Sequence, residues 1–238
     1  MDYFLKIYTE ICKKEFTHYG FKKRGSNNFV RVTNDVMQNF HLNRSQFGYS
    51  CTVEFGIIPL CYRIGKDQVT GGLGVNHLKM FEGSVAWWDY DKKSNESMEC
   101  CIVEIVNYMK KYLIPFFERG NNCTKAYHEI CAFEKSLNNE VFMPDYWKYC
   151  MSLKAGDIDQ ALKHLKAVEQ QHMDAFKINK EAFQSMGGIS EEYEKDAKED
   201  FRNIRKEIEY ITDRDEEYIQ AFIHNNEAYS LNNLKGLV

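Results

Sequence analysis

Few side chains in this sequence have both the type and the spacing for chemistry, and three of them fall in strand-like runs of the first third. His41 in "VMQNFHLN" could move a proton, Glu54 in "CTVEFGII" could orient that imidazole or act as its basic partner, and Arg31 in "NFVRV" could clamp an anion. Side chains alternate across a strand, so residues two apart share a face. Val36, Gln38, Phe40 and Leu42 then form one set, with Asn39, His41 and Asn43 opposite; in the next run Cys51, Val53, Phe55 and Ile57 oppose Thr52 and Glu54. One sheet face is mainly apolar, and the other carries His41, Thr52 and Glu54. Arg31 shares its parity with Phe29 rather than with Val30 and Val32, which leaves its face open. Trp87 and Trp88 in "VAWWDY" sharpen the question. Adjacent residues of a strand cannot both enter one core, so one tryptophan turns to the polar side and needs a cover there: the helical half, a partner or a ligand.

Other chemistries find less support. Lys22, Lys23 and Arg24 form a cationic run, but GxxxxGK[ST] is absent and the neighbouring glycines flank a strand rather than open a helix. A solvated connection after a helix C-terminus explains the run, since cations favour that end of the helix dipole. "TGGLGVNH" lacks GxGxxG and reads as a surface insertion. Cys123, His128 and Cys131 lie close in sequence, but no second pair completes a four-ligand zinc set, and His164 and His172 come without HExxH. No GxSxG or activated-cysteine motif occurs, and the acids of "SEEYEKDAKEDF" read as solvated helix faces with cations three or four residues away. The reading therefore assigns no catalytic residue, no metal and no cofactor. Its candidate binding surface is Arg31, His41, Glu54, Trp87 and Trp88.

The elements that must position these residues can be read from periodicity. Phe4, Ile7, Tyr8, Ile11, Phe16 and Tyr19 have helical spacing, and Gly20 suits the left-handed position that closes a helix. Strands are predicted over residues 28–33, 36–43, 50–58 and 85–90, with a tight turn at Thr33-Asn34-Asp35. From Ser94 the pattern is helical. Met98, Cys101, Ile102, Ile105, Met109, Tyr112, Leu113 and Phe116 make an apolar stripe that Pro115 should kink or end. Further helices are predicted over 124–135, 145–154, 157–172, 175–186, 191–210 and 213–229, with Asp157 as a cap. Strands segregated from helices give an α+β class: an N-terminal helix and an antiparallel sheet of about four strands over 1–120, then an all-helical region over 121–238 packed on it.

"GFKKRGSNNFVRV", "MQNFHLNRS" and "CTVEFGIIP" resemble an uncharacterised bacterial family of domains of unknown function. The shared pattern falls on Gly20, Phe21, Lys22, Lys23, Gly25, Phe29, Arg31, Gly56 and Ile57, and the likeness spans roughly residues 3–117. It implies no reaction and no catalytic residue, and residues 60–83 look like an insertion relative to it. "MPDYWKYCMSLKAGDIDQALKHLKAVEQQH" is similar to a single tetratricopeptide-type hairpin without a second copy.

Composition bounds the rest. The 238 residues are 44% hydrophobic and 14% aromatic with 3 prolines, enough for a dense core, and the net charge of -4 gives no global pull toward nucleic acid or membrane. The first 35 residues lean basic and residues 186–238 lean acidic. No apolar run reaches a membrane span, no leader is evident, and the 8 cysteines lack CxxC, so reduced thiols in a cytoplasm are expected. With no catalytic signature, the leading expectation is a non-enzymatic cytoplasmic protein that binds another protein, of an immunity or regulatory kind. The alternatives are a small-ligand binder or enzyme on the polar sheet face, and nucleic-acid binding through the basic run.

Overall fold

The computed structural model describes residues 2–47, 49–71, 76–83, 87–137, 143–184 and 188–237. The chain forms two compact units, Met1–Met143 with Asn225–Val238, and Pro144–His224. The first division thus falls after residue 143, where the sequence suggested 120. The physical reason is α5 (Cys123–Ser136), whose Phe133 ring lies 4.9 Å from Phe81 and 5.6 Å from Phe116.

The first unit opens with α1 (Tyr3–Phe16), capped by the Asp2 carboxylate, which accepts from the Leu5 amide at 3.1 Å. Gly20 ends the following turn at φ +88°, a conformation without steric cost only for glycine. The antiparallel sheet runs β1 (Lys22–Arg24), β2 (Asn28–Thr33), β3 (Val36–Arg44), β4 (Ser50–Pro59) and β5 (Asn76–His77) in that order, with β6 (Trp88–Asp89) also on β4. Among the described residues six strands replace the expected four because β1 and β5 are too short to show alternation. The run read as 85–90 contributes Trp88–Asp89; residues 84–86, and Gly72 and Gly74 of the glycine cluster, lie outside the described residues. Asn34 takes φ +50° in the tight turn between Thr33 and Val36, which face each other.

The apolar face of the sheet is covered by α1, by α3 (Asn95–Tyr108) and by α4 (Ile114–Arg119). Phe40 stands at its centre, with ring centroids 5.0 Å from Phe21, 5.3 Å from Phe29 and 5.3 Å from Phe16, all buried. Each such side chain contributes on the order of 2 kcal/mol by leaving water. Between α3 and α4 the helix passes through a π-type turn, Met109–Leu113. Pro115 has no N–H to donate and its ring crowds the preceding turn, so the chain re-registers just before it instead of stopping. A short helix, α2 (Lys66–Gly71), lies beside β2.

The second unit is helical. In it α6 (Asp145–Lys154) and α7 (Ile158–Phe183) form a hairpin through Gly156 at φ +78°, and Asp157 caps α7 by accepting from the Gln160 amide at 3.1 Å. The two helices expected over 157–172 and 175–186 are one, because nothing between His172 and Ala175 breaks a helix. On α8 (Glu191–Thr212) Tyr193 stacks and Phe201 sits edge-on against Phe176 of α7. The last helix, α9 (Glu216–Asn233), starts in this unit, and residues from 225 onward belong to the first.

Candidate functional site

The register across four strands builds the site. Asn28 of β2 faces His41 of β3, His41 faces Glu54 of β4, and Glu54 faces His77 of β5. Directly opposed residues point to the same side of a sheet, so these four make one polar row. His41 Nε2 lies 3.0 Å from Glu54 Oε2, and the Asn43 amide donates to Glu54 Oε1 at 2.6 Å. Burial pushes the Glu54 carboxyl up, but the hydrogen bonds from His41 and Asn43 outweigh it and hold the group below the usual carboxylate range. The row is deepest at Asn28 and partly open at its other end. Asn28 is buried and donates to the Val69 carbonyl of α2 at 2.6 Å, whereas His77 is only half-buried, with the half-buried Trp87 ring 5.9 Å away.

Beside the row, the buried Asn39 has neither amide atom hydrogen-bonded, and the Thr52 hydroxyl is likewise unpartnered. These atoms are buried from solvent.

Three of the five candidate residues come together: His41 and Glu54 touch, and Trp87 reaches the same row through His77. Arg31 and Trp88 do not join them. Arg31 pairs in register with Gln38 on the opposite, apolar face, where it is buried. Its guanidinium donates to Gln38 at 2.7 Å, to the Tyr19 carbonyl at 2.9 Å and to Glu118 at 2.8 Å, and sits 4.7 Å from the Phe21 ring centroid. Gln38 in turn donates to the Phe117 and Gly120 carbonyls, so this is a network fastening the sheet to α4. An anion clamp built from Arg31 beside His41 is thereby corrected. Trp88 opposes Cys51 and is buried, its indole N–H donating to Glu104 at 2.9 Å. Alternation thus divides the tryptophans between the two faces.

The sequence reading missed His77, because a two-residue strand shows no periodicity. It also missed the loop between β3 and β4, where Phe47 is 79% exposed and Tyr49 is 54% exposed. Lys92 lies over the Tyr49 ring at 4.6 Å, and the Tyr49 carbonyl accepts from the Tyr90 amide at 2.9 Å, which fixes the loop to the strand that follows Trp87. An isolated aromatic pair in a short connection was the available signal. Of the cationic run, Lys22 and Arg24 both donate to the Gly236 carbonyl, at 3.1 and 3.0 Å. Among the described residues no three His, Cys, Asp or Glu side chains could share a metal ion, and no helix is long and apolar enough to cross a membrane.

No curated protein and no solved structure matches the chain. A family model does, over a stretch that carries β1 to β6, the row and the aromatic loop: residues 12–119 match the family described as Domain of unknown function (DUF4304).

Proposed function

We propose that this chain is a non-enzymatic, cytoplasmic bacterial protein that captures another protein, in an immunity or regulatory role, through the aromatics of the β3–β4 loop. The observation that carries this reading is the exposure of Phe47 and Tyr49 on the β3–β4 loop. Aromatic side chains held in water gain most when a partner covers them, and tyrosine, tryptophan and arginine dominate interface energetics. The polar row supports a binding role better than a catalytic one. Both oxygens of Glu54 and the Nε2 of His41 are already engaged with each other and with Asn43, and Arg31 faces away. Nucleic-acid binding draws less support, since two cations of the basic run are held by Gly236.

The test is affinity capture from native cells with the tagged full chain and with the double variant Phe47→Ala/Tyr49→Ala. The expected result is one specific protein retained by the parent and reduced at least about tenfold by the variant, with an unchanged melting temperature because neither ring is buried. Equal capture by both chains, or no specific protein with either, counts against the reading.

A further inference from the structure

The start of β4 carries a thiol pair that the binding role does not use. Cys51 of β4 is buried, and its sulfur lies 3.7 Å from that of Cys101 on α3, also buried. At that separation the two sulfurs are in contact without being bonded, and closing to the roughly 2.05 Å of a disulfide asks for a shift of less than about 2 Å. A second thiol pair exists in the same unit, since Cys123 is hydrogen-bonded to Cys61, but there the Cys123 thiol also donates to the Asp35 carbonyl at 3.5 Å. Cys100 is exposed and adjacent in sequence, but it projects from a different side of α3.

We propose that Cys51 and Cys101 are a disulfide-forming site, closed by a small-molecule disulfide such as oxidised glutathione, that staples the central strand to the helix covering it. The thiolate of Cys101 attacks one sulfur of the oxidant, giving a mixed disulfide and releasing one glutathione thiolate. That thiolate takes the Cys51 proton. Cys51 then attacks the Cys101 sulfur and expels the second glutathione as a thiolate, which takes up from water the proton that Cys101 had given to it. Two protein thiols are oxidised to one disulfide, and one glutathione disulfide is reduced to two thiols. Since both sulfurs are buried, exchange proceeds while the chain folds or opens locally.

The experiment uses the full chain carrying Cys100→Ser, which removes the exposed competitor. It is denatured, refolded in a series of oxidised and reduced glutathione mixtures, alkylated, digested and analysed by mass spectrometry. The expected product is a cross-linked peptide joining Cys51 to Cys101, two hydrogens lighter than the separate peptides and declining as the mixture becomes more reducing. The oxidised form should melt several degrees higher than the reduced one, because the link closes a long loop of the unfolded chain. Recovery of both cysteines as alkylated thiols, as glutathione adducts or joined to other cysteines overturns the proposal. Cys101→Ala is the second variant; it must leave Cys51 unlinked under the same oxidation, and a Cys51 cross-link to another cysteine in that chain would show that contact with Cys101 does not set the pairing.

Discussion

At the scale of single residues, Glu54 decides how the polar row responds to acid. Its carboxyl is held below its ordinary value in the fold, so the unfolded chain binds the proton more tightly. The stability this confers is fully present above the unfolded carboxylate value of about 4.3 and is lost as pH falls through the lower folded value. Glu54→Gln removes the titration. Urea unfolding from pH 6 down to pH 3.5 should show the parent losing more stability than the variant over that window, and parallel curves would refute the assignment. Much of the row was legible beforehand: strict alternation put His41, Asn43, Thr52 and Glu54 on one side. Arg31 was not, because a charged residue of core parity gives no sign of the Gln38, Tyr19 and Glu118 acceptors that make its burial tolerable.

At the scale of elements, what the sequence showed well were long periodic segments, and what it hid were junctions. The opening helix, the strands β2 to β4 and the caps at Gly20 and Asp157 follow from local chemistry. The π-type turn before Pro115, the unbroken α7 and the two-residue β5 depend on packing that no local pattern encodes. One junction carries a sharp expectation. Gly25 turns the chain between β1 and β2 at φ +63°, and a Cβ there would collide with the Thr70 backbone carbonyl of α2. Gly25→Ala therefore meets both left-handed strain and a backbone clash, and should cost about 2 kcal/mol or more in chemical denaturation. A substitution that leaves the midpoint unchanged would show that α2 yields freely.

At the scale of the whole molecule, the first unit is closed by residues far along the chain. The buried Ser230 hydroxyl donates to the Leu60 carbonyl and accepts from the Ile64 amide, both at 2.7 Å, Asn233 donates to the Ile64 carbonyl at 3.0 Å, and Leu234 is fully buried. The basic lean of the N-terminal residues finds its use here as well, with Lys22 and Arg24 converging on one carbonyl rather than on acidic side chains. Leu234→Ala leaves a cavity and should destabilise the protein by roughly 2–4 kcal/mol. Amide exchange in β2 to β4 should quicken correspondingly, and unaltered protection there would mean that residues after 224 contribute little to the sheet.

The discontinuity of that unit also bears on the order of events at the ribosome. Residues 144–224 emerge between the two parts of the sheet-bearing unit, so the helical unit has all its own sequence available while the other still waits for Ser230 and Leu234. During that interval the sheet is without the hydroxyl that joins Leu60 to Ile64, and a nascent chain is most exposed to chaperones and proteases before residue 234 has left the tunnel.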